Sequence, residues 1–462
     1  MPTFNLALQA WQSADEFRRR RDRYKRYTYG RQWDDPVRTR SGSVVSESDA
    51  AAAEGQQPLT NNMIRQLVKC VIGNFRSSLA DSDPASAAAP DRATATRNSL
   101  LEMDCRLLEE FLISGCAIQR VVAEKRPAGE GVWVDNVSPD DFFVNRFSDP
   151  RGLDIELAGQ LHSMSLREVM MRWGNRYADS PARINRAYRN PHGCGDGGSR
   201  FSRSEPGRCR VIEVWTLESR QLLRCHDRAE GRFFVCDSRH GKRIGEINAS
   251  RYTAENRIDT AAVTSVRWRC RIYAPDGTML DEYDSPFAHG RHPYAIKFYP
   301  LTDGEVHSLV EDIIEQQRHI NRLITLIDQI LRVSAKGVLL YPVEQKPEFL
   351  SWHEIGDMWA RTGSVMPYDP KSSQLRPQQI VTAGESSGAY SLLDTQLRLF
   401  QQISGVSDAL QGRTPATLTS AALYDSQLRS AAVALLDLLD TFNNFRLHRN
   451  LMMKEVTEQV SV

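Results

Sequence analysis

The chain has 462 residues, 41% of them apolar and 25% charged, with a formal net charge of +1. Such a length suggests about three domain-sized units, and the composition excludes a disordered or fibrous chain. A net charge so close to zero does not announce a nucleic-acid partner through bulk electrostatics, and local segregation of charge matters more. Eight cysteines, none in a Cys-x-x-Cys pair, imply no disulfide framework and fit a reducing compartment. The start, "MPTFNLALQAWQSADEF", has no basic segment followed by an apolar run, and no stretch approaches the roughly 18 apolar residues of a membrane span. Assembly in a cytoplasm is expected.

Residues 5–30, with "ADEFRRRRDRYKRYTYG", predict a basic helix ending at Gly30. Its cations are interleaved with Tyr24, Tyr27 and Tyr29, which fits contact with nucleic acid or an acidic partner. A solvated helix with inward tyrosines fits the same pattern. Residues 36–58 are poor in large apolar groups and predict a mobile loop or linker. A helix follows from Asn61 or Asn62 as N-cap, with Met63, Leu67, Val71 and Phe75 on one buried face. After a break at 82–94, a helix and then strands are expected up to about residue 300, in "GVWVDNVSPDDFFVN", "CRVIEVWTLE", "SVRWRCRIYAPDGTML" and "HPYAIKFYP". Arginine is dense from 183 to 243, which is either an exposed basic patch for DNA or capsid or a solvated surface.

Residues 304–335 predict a long helix. Val306, Val310, Ile313, Gln317, Ile320, Ile324, Ile327 and Leu331 step by fours and threes, the 3.5-residue spacing of helices lying side by side. At 1.5 Å per residue such a rod is about 45 Å long. Gln317, its one polar seam residue, either fixes register or reaches water. Prolines at 342, 347, 367, 370 and 377 then block long helices, and a small module with short edge strands is expected, with Trp352 and Trp359 as an apolar anchor. A second helix spans about 386–403. A short polar loop follows, and a third helix starts near Thr414 or Thr417, with Leu428, Ala432, Leu435, Leu439 and Phe442 on one face.

Catalytic signatures are missing from this sequence. There is no phosphate-binding glycine loop, dinucleotide fingerprint or nucleophile elbow. Asp140 and Asp141 are adjacent and fit a turn better than a shared metal. His289 and His292, and Cys194 with His192, lack further ligands at suitable spacing. No catalytic residue, metal or cofactor is expected.

The order of these parts resembles the portal (head-to-tail connector) protein of tailed bacteriophages. The likeness rests on "NNMIRQLVKCVIGNF", "VSPDDFFVN", "HPYAIKFYPLTDGEVHSLVEDIIEQQRHINRLITLI" and "SGVSDALQGRTPATLTSAALYDSQLR", and on element order over most of the chain. It implies an α+β, ring-forming subunit. Residues 1–303 would be a mixed α/β wing, 304–336 the first stem helix and 337–384 a small clip. Residues 385–404 would be the second stem helix, 405–416 the tunnel loop and 417–462 the long wing helix. The chain ends at Val462, where many portals continue into a helical crown, so a minimal or truncated crown is expected.

The resemblance further implies a homo-oligomeric ring, typically a dodecamer, at one capsid vertex of the virion. Double-stranded DNA would pass through without sequence selection during packaging and ejection. Terminase, the major capsid protein and connector or tail proteins would be the other partners, with no membrane. The seam residues would then face neighbouring subunits, and Trp352 and Trp359 would serve docking at the clip. Ser407, Gln411, Gly412, Arg413 and Thr414 would face DNA, offering hydrogen bonds to phosphate without base discrimination. An Arg413–Asp408 pair that never meets DNA is the competing local reading. Residues 304–335 hold three basic residues (Arg318, Arg322, Arg332) against five acidic ones (Glu305, Glu311, Asp312, Glu315, Asp328), a balance that would let DNA slide. Two other classes fit parts of the sequence: a metal-dependent DNA-processing enzyme, and a self-associating helical scaffold or adaptor.

Overall fold

The computed structural model describes residues 2–39, 42–53, 55–80, 91–127, 129–177, 179–189, 200–204, 206–251, 253, 256–336, 338–360, 365–369, 376–380, 386–406, 433 and 435–461. The N-terminal helices are α1 (Thr3–Ser13), α2 (Asp15–Thr28), α3 (Glu47–Ala53), α4 (Met63–Ala80), α5 (Arg92–Arg97) and α6 (Leu100–Ser114). Next come α7 (Leu166–Trp173), α8 (Ser180–Arg189) and α9 (Gly241–Ser250), then α10 (Leu309–Lys336), α11 (Trp352–Ala360), α12 (Ser386–Ser404) and α13 (Leu436–Ser461). The early strands are β1 (Pro36–Arg38), β2 (Val44–Ser46), β3 (Cys116–Arg126), β4 (Gly129–Asn136), β5 (Phe142–Val144), β6 (Leu157–Met164), β7 (Cys209–Asp227) and β8 (Arg232–Asp237). The later ones are β9 (Ile258–Tyr273), β10 (Met279–Asp284), β11 (Tyr294–Phe298), β12 (Pro300–Thr302), β13 (Glu305–Val306), β14 (Val338–Leu340) and β15 (Gln378–Ile380). The mixed α+β class read from the sequence is the observed one.

The chain divides into two compact units. One comprises Met1–Tyr24, Val68–Glu311 and Ala432–Val462; the other comprises Lys25–Leu67 and Asp312–Ala431. The first holds an antiparallel sheet of order β10-β9-β7-β6-β5, with β8 paired to the distal half of β7. A smaller sheet runs β11-β3-β4. The first half of β7, "CRVIEVWT", is buried on both faces, whereas its second half turns polar and leaves the main core. One core cluster gathers Ile118 of β3, Phe142 of β5, Trp215 of β7, Cys270 of β9 and Tyr294 of β11. Each such large side chain contributes about 1.5–3 kcal/mol on full burial. Helix α1 sets Ala7, Ala10 and Trp11 against Phe143 and Phe201. Helix α13 brings Phe442 against Phe75 and Phe111, at ring separations of 5.5 Å each. Gly115 ends α6 in the left-handed region at φ +70°, where a Cβ would meet the His307 carbonyl at 2.8 Å.

In the second unit a polar ladder organises the packing. Gln317, Asn321 and Thr325 step by four along α10 and are all buried. Leu59 N–H donates to Thr325 Oγ1 (3.0 Å), Asn61 N–H to Asn321 Oδ1 (3.1 Å) and Met63 N–H to Gln317 Oε1 (3.0 Å). The helix spacing of four thus matches every second residue of an extended strand, satisfying donors just ahead of α4. Asn62 Oδ1 accepts from Arg65 N–H, so the expected cap is in place.

Three expectations need correction. Residues 36–58 are not a plain linker: β1 pairs antiparallel with β2, and α3 follows. Glu47 at the start of α3 binds Arg318 (3.3 Å) and Arg322 of α10, fastening a segment whose composition carries no apolar signal. The long helix begins at Leu309, not at 304, because Ser308 Oγ accepts from Glu311 N–H as a cap. Val306 therefore lies in β13, paired with Pro300 of β12, and is not part of the helical seam.

Candidate functional site

The seam of α10 changes character along its length. Val310, Ile313, Gln317 and Ile320 are fully buried within the single chain. That part is covered by the chain's own residues, so it is not a surface left for a neighbour. Gln317 neither reaches water nor meets a second copy: its amide donates to Asn61 O (2.7 Å) while its carbonyl accepts from Met63 and Ile64. Further along, Ile324 is half-buried, Ile327 is buried, and Leu326 and Leu331 are exposed. Helix α12 likewise exposes Tyr390, Leu392 and Ile403. Uncovered apolar side chains thus gather on the distal turns of α10 and on α12. Replacing Gln317 by alanine should strand the Met63 and Ile64 N–H groups and cost about 1–3 kcal/mol. Urea denaturation checks this; an unchanged midpoint would show that the ladder is dispensable.

The charge on α10 is also reset by the fold. Arg318 donates to Glu315 and Glu47, and Arg322 donates to Glu47 at 2.9 Å. Arg318 and Arg322 are therefore paired with carboxylates, one of which comes from outside the helix; over its observed span, Leu309–Lys336, α10 loses Glu305 and gains Lys336 and so holds four basic and four acidic residues. Glu315 stays exposed.

Trp352 and Trp359 lie seven residues apart on α11, with the buried Ile355 between them. Trp352 is 47% exposed. It makes an edge contact with Tyr341 at 6.1 Å, and Lys346 Nζ stands 5.8 Å from its ring. Trp359 is half-buried. Strands β14 and β15 pair antiparallel in the same unit. Ser407, Gln411, Gly412, Arg413 and Thr414 lie outside the described residues, as do Asp408, Leu428, Ala432, His192 and Cys194.

The basic N-terminal helix turns part of its charge inward. Arg18 and Arg21 of α2 are buried, as are Tyr24 and Tyr27. Arg21 grips Glu110 with Nε (2.6 Å) and Nη2 (2.8 Å) and donates Nη1 to Asp140 (2.8 Å). Asp140 and Asp141 sit in a 3-10 turn capped by Ser138, with Asp141 paired to Arg210 at 3.3 Å. Within the arginine-rich stretch, Arg220 is likewise paired with Asp237 and Arg228 with Asp259. His289 and His292 are half-buried next to aromatic rings; burial first, then nearby arginine and histidine side chains, lowers their pKa to about 4 and about 3. Among the described residues no group of His, Cys, Asp and Glu is placed to hold a metal ion, and no described helix is long and apolar enough to cross a membrane.

A family model described as Phage P22-like portal protein matches residues 5–460. The chain belongs to that family. No curated protein matches it. The match spans both compact units, so the portal resemblance read from element order holds for nearly the whole chain. Portal membership makes this a bacteriophage protein of a structural rather than catalytic family, and a component of the phage capsid. Some features of the structure were invisible in the sequence. The grip of Arg21 on Glu110 and Asp140 joins residues 89 and 119 positions apart. The polar ladder did leave a trace, since Gln317, Asn321 and Thr325 repeat at four-residue spacing on an otherwise apolar helix face.

Proposed function

We propose that this chain is the subunit of a homo-oligomeric ring at a unique capsid vertex, through which the phage genome is packaged and later ejected. The observation that carries the reading is the portal family match over residues 5–460. The exposed Leu326, Leu331, Leu392 and Ile403 support it, because neighbouring copies would cover them. In this reading α10 and α12 are the two stem helices, 337–384 between them is the clip, and the first compact unit holds the body of the wing. The ties of Arg318 and Arg322 to carboxylates reduce the positive charge this part of the helix would offer to phosphate, which suits a wall that DNA slides past.

Residues 405–416 form the tunnel loop in this assignment. A ring multiplies Arg413 into a belt of positive charge, and Ser407, Gln411, Gly412 and Thr414 flank it. The exposed Trp352, with Trp359 on the same helix, is the docking point for terminase and then for connector or tail proteins. The major capsid protein surrounds the wing, and the ring is typically a dodecamer assembled in the host cytoplasm. The DNA-processing and scaffold readings are not favoured by the family match.

The test is genome packaging with the chain supplied or withheld. Capsids assembled without it should hold no nuclease-protected DNA, and supplying it should restore filling. Arg413→Ala should keep rings intact and reduce protected DNA several-fold. Filled capsids without the chain would end the portal reading, and full packaging by Arg413→Ala would remove the loop from the mechanism.

A further inference from the structure

Two of the eight cysteines meet where β8 pairs with the distal half of β7. Leu223 stands opposite Cys236, and Cys225 opposite Phe234. Strand alternation therefore turns both cysteines to one face, diagonally across the ladder. On that face Cys225, Ile244 of α9 and Ile258 of β9 form a small core, with Leu223, Phe234 and Cys236 packed around it. The two sulfurs lie 3.6 Å apart, in van der Waals contact. Eleven positions separate them in the sequence, so no short motif announces the pair.

The two thiols are unequal. Cys225 is fully buried, and its thiol donates to Leu223 O at 3.6 Å or shares a proton with the other sulfur. Burial first, then the Cys236 thiol, pushes Cys225 up to about 11, so it is protonated and unreactive at pH 7. Cys236 is only partly buried and is the one that a reagent in solvent reaches. Attack therefore starts at Cys236. Once that sulfur is held in a disulfide, its share of the shift on Cys225 disappears.

We propose that Cys225 and Cys236 form a two-thiol redox site, which a small disulfide such as oxidised glutathione converts to a bridge between β7 and β8. The Cys236 thiolate attacks one sulfur of the oxidant, giving a mixed disulfide and releasing one small thiol. Cys225 then gives up its proton, its sulfur attacks Cys236 Sγ, and the second small thiol leaves. Two protein thiols and one small disulfide become one protein disulfide and two small thiols. The sulfurs must close from 3.6 Å to about 2.05 Å. Diagonal Cα atoms in a regular ladder stand about 7–8 Å apart, at the far end of disulfide reach, so one strand has to yield. β8 is placed to do so: it is six residues long and pairs with β7 alone among the described residues. A bridge closed against such a shift is easily reduced, which makes it reversible. The dithiol would persist inside a reducing cell, and the bridge would form in the oxidising surroundings that a released phage particle meets.

The test uses the full-length chain, incubated with oxidised glutathione, alkylated, and digested with trypsin without reduction. Cleavage after Arg224, Arg228, Arg232 and Arg239 places the two cysteines in separate peptides, 225–228 and 233–239. Mass spectrometry should find these two joined as the main disulfide, and dithiothreitol should release them. Cys225→Ser should stop at a glutathione adduct on Cys236, and Cys236→Ser should leave Cys225 unmodified. Amide exchange of β8 should slow at least tenfold in the oxidised natural chain and in neither variant. Two free thiols after excess oxidant, or an adduct that stays on Cys236 of the natural chain and never passes to Cys225, would overturn the proposal. A bridge that leaves the exchange of β8 unchanged would overturn its role as a staple.

Discussion

Replacing Asp104 by alanine should lower the stability of the first unit by about 3–5 kcal/mol, the cost of breaking a buried ion pair from one side. Asp104 on α6 and Arg449 on α13 are each 1% exposed at the side chain. Arg449 donates to both carboxylate oxygens, at 2.7 and 3.1 Å, and Arg446 adds a third bond at 2.8 Å. Arg449 also reaches Gln119 Oε1 on β3 at 3.0 Å, so one carboxylate ties α13 to both a helix and a strand. Removing it leaves a guanidinium without its counter-charge where water does not reach. Arg446, which is partly exposed, can turn to solvent; Arg449 cannot. The pair Asp104→Leu with Arg449→Met removes both charges and should be less damaging than Asp104→Ala alone. Denaturant midpoints of the three proteins decide the matter. A double variant no more stable than the single one would show that the charges do not act as a pair.

The second large effect is expected at Glu213. This carboxylate accepts from Trp215 Nε1 (2.6 Å), Tyr294 Oη (3.0 Å) and Arg120 Nη2 (3.1 Å), and lies 2.7 Å from His162 Nε2. Its partners sit on β3, β6, β7 and β11, so it joins the two sheets of the first unit through one buried charge. Burial by itself would raise the carboxyl. The Arg120 guanidinium, then His162 and the Trp215 indole, more than offset this and hold it well below its ordinary 4.5. A carboxyl lowered by folding stabilises fully above that ordinary value, and the stabilisation is lost as pH falls toward the folded value. Glu213→Ala should cost about 3–5 kcal/mol at pH 7 by leaving Arg120 buried and unpaired. Glu213→Gln, which does not titrate, should flatten the loss of stability below about pH 4.5. Midpoints measured from pH 7 down to pH 3 test both; an acid limb as steep in Glu213→Gln as in the natural chain would place the titration elsewhere.

What could be read from the sequence was local. The N-cap at Asn62 and the helix from Ser386 were legible because each follows from neighbours within one or two turns. The spacing from Val310 to Leu331 correctly marked a long helix with a buried stripe. It could not say what buries the stripe, and the proximal half turned out to be covered by residues of the same chain. Val306 fitted the same spacing by coincidence, since strand and helix periods agree over a single step. Distant pairing was the main blind spot. The inward tyrosines of α2 were one of its two readings and are observed at Tyr24 and Tyr27, but the burial of Arg21 was not legible because Glu110 and Asp140 are remote in sequence, and 36–58 read as a linker because Glu47 meets Arg318 and Arg322 only in three dimensions.

The central claim is that one copy of this chain is incomplete, and that its exposed stem residues are covered only in a closed assembly. Electron microscopy of the purified full-length protein, paired with native mass spectrometry, tests it most directly. The expected result is circular particles with an axial hole and a single mass that is a whole multiple of the 52.3 kDa chain. A stable 52.3 kDa monomer at high concentration, with no circular particles in any condition that supports capsid assembly, would contradict it.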